Sequence, residues 1–241
     1  APGSPLVVDW QPEQRGDLEV AMREGVAIVG FGKEGLRLLP DCHIDGKYGF
    51  IGVNTKEQVV RLVSGEEVQA NLAADAVGII AKLGAELGTS QALDIAIVMV
   101  GKRKTTWSSA KRADLTGKCA GATHFVRGAS VGAFAMRSGA KGTARTVAEI
   151  FGAGAAASTG SEKTVQNADG LLDACKKATP EADNPPPQCG ALIRLELVAL
   201  EGDAAAKPAA AAPEEAKAPS AQSEAGDACG PGFVFADGKC T

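Results

Sequence analysis

The chain has 241 residues, of which 45% are hydrophobic, 22% charged and only 4% aromatic, with 30 glycines and six cysteines. That length suits one ordinary domain with extras, and the aliphatic content excludes a collagen-like or wholly disordered polymer. The longest clean apolar run, Ile95 to Val100, is far short of the ~20 residues that a membrane-spanning helix needs.

The net charge of -4 hides a strong asymmetry. Residues 1–100 carry 14 acids and 8 bases, whereas residues 101–148 carry ten bases against the single acid Asp114. Such a basic middle either packs beside the acidic flanks and neutralises itself, or forms a face for an anionic partner. No charged-then-apolar leader opens the chain, so Ala1 reads as a mature N-terminus.

In chain order, Pro5–Val8 suits a first strand, and Glu13 to Glu24 reads as a helix with Leu18, Ala21 and Met22 at helical spacing. Gly25–Phe31 and Leu36–Leu39 are strands joined by a turn at 31–35. An Asp-Gly turn at 45–46 leads into a strand from Tyr48 to Asn54. Asn71 to Leu87 carries an apolar stripe through Leu72, Ala76, Ile79, Ile80 and Leu83, with Asn71 as cap and Gly88 as stop. Ala92–Val100 is apolar on both faces and so reads as a central strand. Ala122–Met136 reads as a long or bent strand, where Gly128 and Gly132 mark a bulge or a close backbone approach. Thr143–Phe151 suits a short helix. In Ala191–Leu200, alternation sets Leu192, Arg194 and Glu196 on one side and Ile193, Leu195 and Leu197 on the other. The sum is an α+β domain over 1–202, with a mainly antiparallel sheet and two to three helices.

From Asp203 to Ala228, twelve of 26 residues are Ala, with three prolines and nothing larger and apolar. Such a stretch buries too little to offset its ordering entropy and reads as a flexible linker. After it, residues 229–241 form a small hairpin whose apolar strand runs from Phe233 to Phe235. It suits either a protease-resistant plug or a docking knob presenting Phe233 and Phe235.

The six cysteines are Cys42, Cys119, Cys175, Cys189, Cys229 and Cys240; there is no C-x-x-C and only two histidines, which argues against a zinc site. Spacing favours Cys229–Cys240 and Cys175–Cys189 as local bridges, leaving Cys42–Cys119 as the long-range one. Disulfides persist in oxidising places, so the expected location is periplasmic, outer-membrane-associated or secreted. The rival use of sulfur is a thiol-dependent hydrolase built on Cys42 or Cys119 with His124. The motif H-E-x-x-H does not occur, and neither a cofactor nor a metal is expected.

The run Gly117-Lys-Cys-Ala-Gly-Ala-Thr-His-Phe-Val126 with Gly132-Ala-Phe134, the early Val8-Asp-Trp10 and the final cysteine hairpin resemble a pattern of predicted secreted proteins and lipoproteins of myxobacteria. That family has no assigned activity, so the resemblance implies an envelope location, with a lipid-bearing cysteine ahead of Ala1, and carries over no site residue.

The sequence therefore predicts a non-enzymatic envelope or extracellular protein with a binding or assembly role, including that of a structural subunit in homo- or hetero-assemblies. Its candidate anion-binding residues are Lys102, Lys104, Arg127 and Arg137. The expected partners are an envelope or extracellular protein, or an anionic glycan or lipid surface. Nucleic acid fits less well, because within the basic segment only Trp107, Phe125 and Phe134 could stack on bases.

Overall fold

A computed structural model describes residues 4–72, 87, 91–142, 144–152 and 167–202, together with the backbone of 235–236 and 239–240. The chain divides into two units, Ala1–Asp203 and Ala204–Thr241. In the first, the elements run α1 (Pro12–Glu24), β1 (Val26–Gly32), β2 (Gly35–Ile44), β3 (Tyr48–Leu62), α2 (Gly65–Asn71), β4 (Gln91–Thr105), β5 (Thr116–Gly117), β6 (His124–Ala140), α3 (Val147–Gly152), β7 (Asn167–Asp169), α4 (Leu172–Cys175) and β8 (Ala191–Ala199). This is an α+β fold with a mainly antiparallel sheet, and three of its four described α-helices are no more than two turns long.

β6 is the hub. One of its edges pairs with β8 over 124–132 and with β7 over 134–136. The other edge pairs with β1 at His124 and Phe125 and with β4 from Gly128 to Ala140. Two ribbons, β1–β2–β5 and β4–β3, therefore leave the same edge of β6 and diverge. Tyr48 stitches the fork: its hydroxyl donates to the Val126 carbonyl and accepts from the Ala27 N–H. Burial raises the Tyr48 phenol well above its ordinary range, so the hydroxyl stays neutral and available as a donor.

The glycines expected at a close approach have that role. A Cβ on Gly132 would sit 1.8 Å from the Val98 carbonyl oxygen, and one on Gly128 would sit 2.7 Å from that of Arg103. β4 and β6 can lie this tightly only without side chains at those points.

α1 begins at Pro12, whose missing N–H costs nothing at a helix start, and it lays Leu18, Ala21 and Met22 on Ala27, Val29 and Leu36. Arg15, almost fully buried, donates to the Trp10 carbonyl, Asn167 and Asp169, which ties the helix to β7. The segment expected as a first strand runs beside β8, where the Val7 N–H donates to the Ile193 carbonyl and the Leu195 N–H to that of Pro5.

Three expectations need correction. Asn71, expected to cap a helix, is instead the last residue of α2, which is capped by Ser64, whose hydroxyl accepts from the Glu67 N–H, while the Glu67 carboxylate accepts from the Val63 N–H. The predicted helix itself, over 73–86, lies outside the described residues. In β8 the register skips between Arg194 and Leu192, so Ile193 is an extra residue. Leu192 therefore joins Leu195 and Leu197 in one core cluster, and Ile193 joins Leu6 in another. β3 runs eight residues past the predicted Asn54, because its bulge between Gly52 and Lys56 lets pairing with β4 resume.

Two disulfides brace the first unit, Cys42–Cys119 and Cys175–Cys189, with Cα–Cα distances of 5.0 and 5.1 Å. In the second unit, β9 (Phe235–Ala236) pairs antiparallel with β10 (Lys239–Cys240). The predicted linker, Phe233 and Cys229 lie outside the described residues, as does the proposed Cys229–Cys240 bridge. Among the described residues no helix is long and apolar enough to cross a membrane.

Candidate functional site

From Ala92 to Val100 β4 is almost wholly buried, with Asp94 as its one charged residue there. Beyond Gly101 its sequence turns abruptly to Lys102-Arg103-Lys104. The strand stays paired on both sides through this basic run: Lys102 faces Ile51 on β3 and Ser130 on β6, and Lys104 faces Gly49 and Gly128. On the far side of β6, Ser130 faces Arg194 and Gly128 faces Glu196. Directly opposed residues project from the same face of a sheet. One row therefore reads Ile51, Lys102, Ser130, Arg194 across four strands, and the next reads Gly49, Lys104, Gly128, Glu196.

Arg127 joins them through an irregularity. Val126 pairs with Leu197 and Gly128 with Glu196, so Arg127 is an extra residue of a bulge. Its guanidinium donates through Nη2 to Oε1 of Glu196. That hydrogen bond holds the Glu196 carboxyl below the usual carboxylate range against a desolvation that raises it, and the charges of Arg127, Lys104 and Lys102 add to the lowering. Arg194 donates through Nη1 to the Ser4 carbonyl at 3.3 Å. Lys102 and Lys104 are exposed, and neither makes a hydrogen bond or ion pair among the described residues. Four cations thus surround one carboxylate, beside a depression of about 260 Å³ lined by Ser4, Lys102, Lys104, Ser130, Arg194 and Glu196.

The fourth predicted cation belongs elsewhere. Arg137 lies ten residues beyond Arg127 on β6, opposite Asp94 in the register, and is 9% exposed. Counting parity along β6 pairs it with Arg127, but the bulge breaks that parity and burial removes Arg137 from any binding face. It belongs to a buried charged cluster in which Asp94 lies 3.7 Å from Arg61. Desolvation raises the Asp94 carboxyl above its ordinary range, and the charges of Arg61 and Arg145 only partly oppose this.

No family model, curated protein or solved structure matches this chain. The geometry alone must rank the sites.

A larger groove of about 810 Å³ lies between α1 and the β1–β2 hairpin, against Trp10, Phe31 and Leu36. Its charged rim holds Asp17, Glu34, Lys33 and Arg37, two of each sign, so it offers no net field to select a ligand. The smaller depression does.

The four cysteines among the described residues offer no nucleophile. Cys42 and Cys119 are bonded to each other, and no free cysteine occurs among the described residues. A thiol hydrolase needs a thiolate, which neither sulfur presents in this state. His124 is held by Thr123, Nδ1 to Oγ1 at 2.8 Å, and meets the Phe31 ring edge-on at 5.6 Å. His43 lies 3.7 Å from the exposed Asp45. Phe235 is in β9, where only the backbone is described, so the proposed docking hairpin has no side-chain geometry to add.

Sequence reasoning missed Arg194, Glu196, Ser130 and Ile51. Arg194 and Glu196 already alternated with leucines as the polar side of the last strand, which was a usable signal. Their meeting with Lys102 and Lys104 was not readable, because it depends on β6 lying between β4 and β8.

Proposed function

We propose that this chain is a non-enzymatic binding protein of an oxidising compartment, periplasmic, outer-membrane-associated or secreted, which docks an anionic partner on the face shared by β4, β6 and β8. The observation that carries the reading is the pair Lys102 and Lys104, two exposed ammonium groups that make no hydrogen bond or ion pair among the described residues, flanked by Arg127 and Arg194. Two residues apart on a strand, their Cα atoms are about 7 Å from each other. Like charges at that spacing repel, and a bound anion relieves the repulsion, so the cluster favours a polyanionic ligand over a neutral one. The two cystines support the choice of compartment. The resemblance to secreted myxobacterial proteins points the same way, and an assembly role for the C-terminal hairpin belongs to the same proposal.

The test is retention of the full chain on an immobilised sulfated polysaccharide. Lys102→Glu/Lys104→Glu is expected to lower affinity at least tenfold. Lys118→Glu/Lys176→Glu, which makes the same change in net charge on other elements, is expected to change it less than about twofold. Equal losses in the two double variants would reduce the effect to net charge and refute a localised face.

A further inference from the structure

We propose that the anionic partner of this face is a lipid bilayer, with Ile51 entering the headgroup layer while Lys102, Lys104, Arg127 and Arg194 meet the lipid phosphates. The inference rests on the basic-face reading and adds to it an apolar observation. Ile51 is 58% exposed, more than any other large hydrophobic side chain among the described residues. It is also the direct cross-strand neighbour of Lys102. An isolated exposed aliphatic group is ordinary on a protein surface. One fixed in register with a row of cations is the combination that interfacial membrane binding uses, since apolar insertion and attraction to anionic headgroups reinforce each other.

The surroundings suit a broad, shallow contact. Gly49 and Gly128 carry no side chain and Ser130 carries a short one, so Ile51 and the long cationic side chains are the groups that protrude. The row from Ile51 to Arg194 crosses four strands, about 14 Å at the usual strand spacing. Charge complementarity selects the lipid class: four cations against the single carboxylate of Glu196 favour anionic over zwitterionic headgroups. A soluble acidic glycan or an acidic protein would engage the same cations but gain little from Ile51.

The experiment is flotation of the full chain with vesicles of phosphatidylcholine alone, and with vesicles in which about a third of it is replaced by phosphatidylglycerol. Binding to soluble dextran sulfate is measured in parallel. The chain is expected to float with the anionic vesicles and not with the neutral ones. Ile51→Ser is expected to lower vesicle affinity about tenfold while leaving dextran sulfate affinity unchanged. In an Ile51→Trp variant, tryptophan emission should shift to the blue on adding anionic vesicles and not on adding dextran sulfate. Binding to dextran sulfate without flotation, or full vesicle affinity in Ile51→Ser, would overturn the bilayer proposal and leave the basic face standing. Undiminished binding to both probes in Lys102→Glu/Lys104→Glu would overturn the face itself.

Discussion

Arg127 and Arg137 show how much one inserted residue matters. By counting, both point the same way from one strand; in the fold, the bulge at Arg127 turns one toward Glu196 and leaves the other buried opposite Asp94. A bulge depends on the partner strand, so no local pattern announces it. Lys102 and Lys104 were legible because unbroken alternation needs only their own strand. Asp94 supplies the prediction at this scale. Its carboxyl is raised in the folded state, chiefly by burial, so the folded protein binds that proton more tightly than the unfolded chain does. The group's contribution to stability is fully present below the ordinary carboxylate pKa of about 4 and is lost as pH rises through the raised value. Asp94→Asn should therefore gain stability relative to the native protein as pH rises from about 4 to about 7, read by urea unfolding at each pH. Parallel pH profiles for the two proteins would contradict this.

Among the elements, the strands and the first helix, Pro12–Glu24, were the most readable, whereas the short α2 and α4 were not predicted. Apolar runs such as Ala92–Val100 and the turn-bounded 25–39 hairpin declare themselves by composition. α2 does not, because its seven residues bury only Val68 and so carry no apolar stripe. The bridges Cys42–Cys119 and Cys175–Cys189 were legible from spacing alone. They close loops of very different size, with sequence separations of 77 and 14. On the loop-entropy model, replacing the first pair by alanine should cost about 4.5 kcal/mol and the second about 3 kcal/mol, read by denaturant unfolding. Exposure predicts the order of reduction as well. Cys175 and Cys189 are fully buried while Cys119 is partly exposed, so a mild reductant should open Cys42–Cys119 first, as followed by mass mapping of alkylated thiols. Faster opening of Cys175–Cys189 would contradict that order.

For the whole molecule, the sequence disclosed an α+β domain with a basic middle but not the forked sheet that gives the basic middle its shape. The fold scatters the bases of residues 101–148. Lys102, Lys104 and Arg127 reach one face, where Arg194 joins them from β8, whereas Arg137 is taken into the interior. Segment charge predicted the sign of the surface and overstated its size, since Lys111, Arg112, Lys118 and Lys141 are exposed away from the depression and Arg137 is buried. The central claim is that these clustered cations bind by charge, and salt tests it most directly. The measurement is the affinity of the full chain for soluble dextran sulfate between about 0.05 and about 0.2 M sodium chloride. Release of counterions by roughly four cations predicts a fall of about fifty-fold over that range. An affinity that changes by less than about twofold would contradict the account.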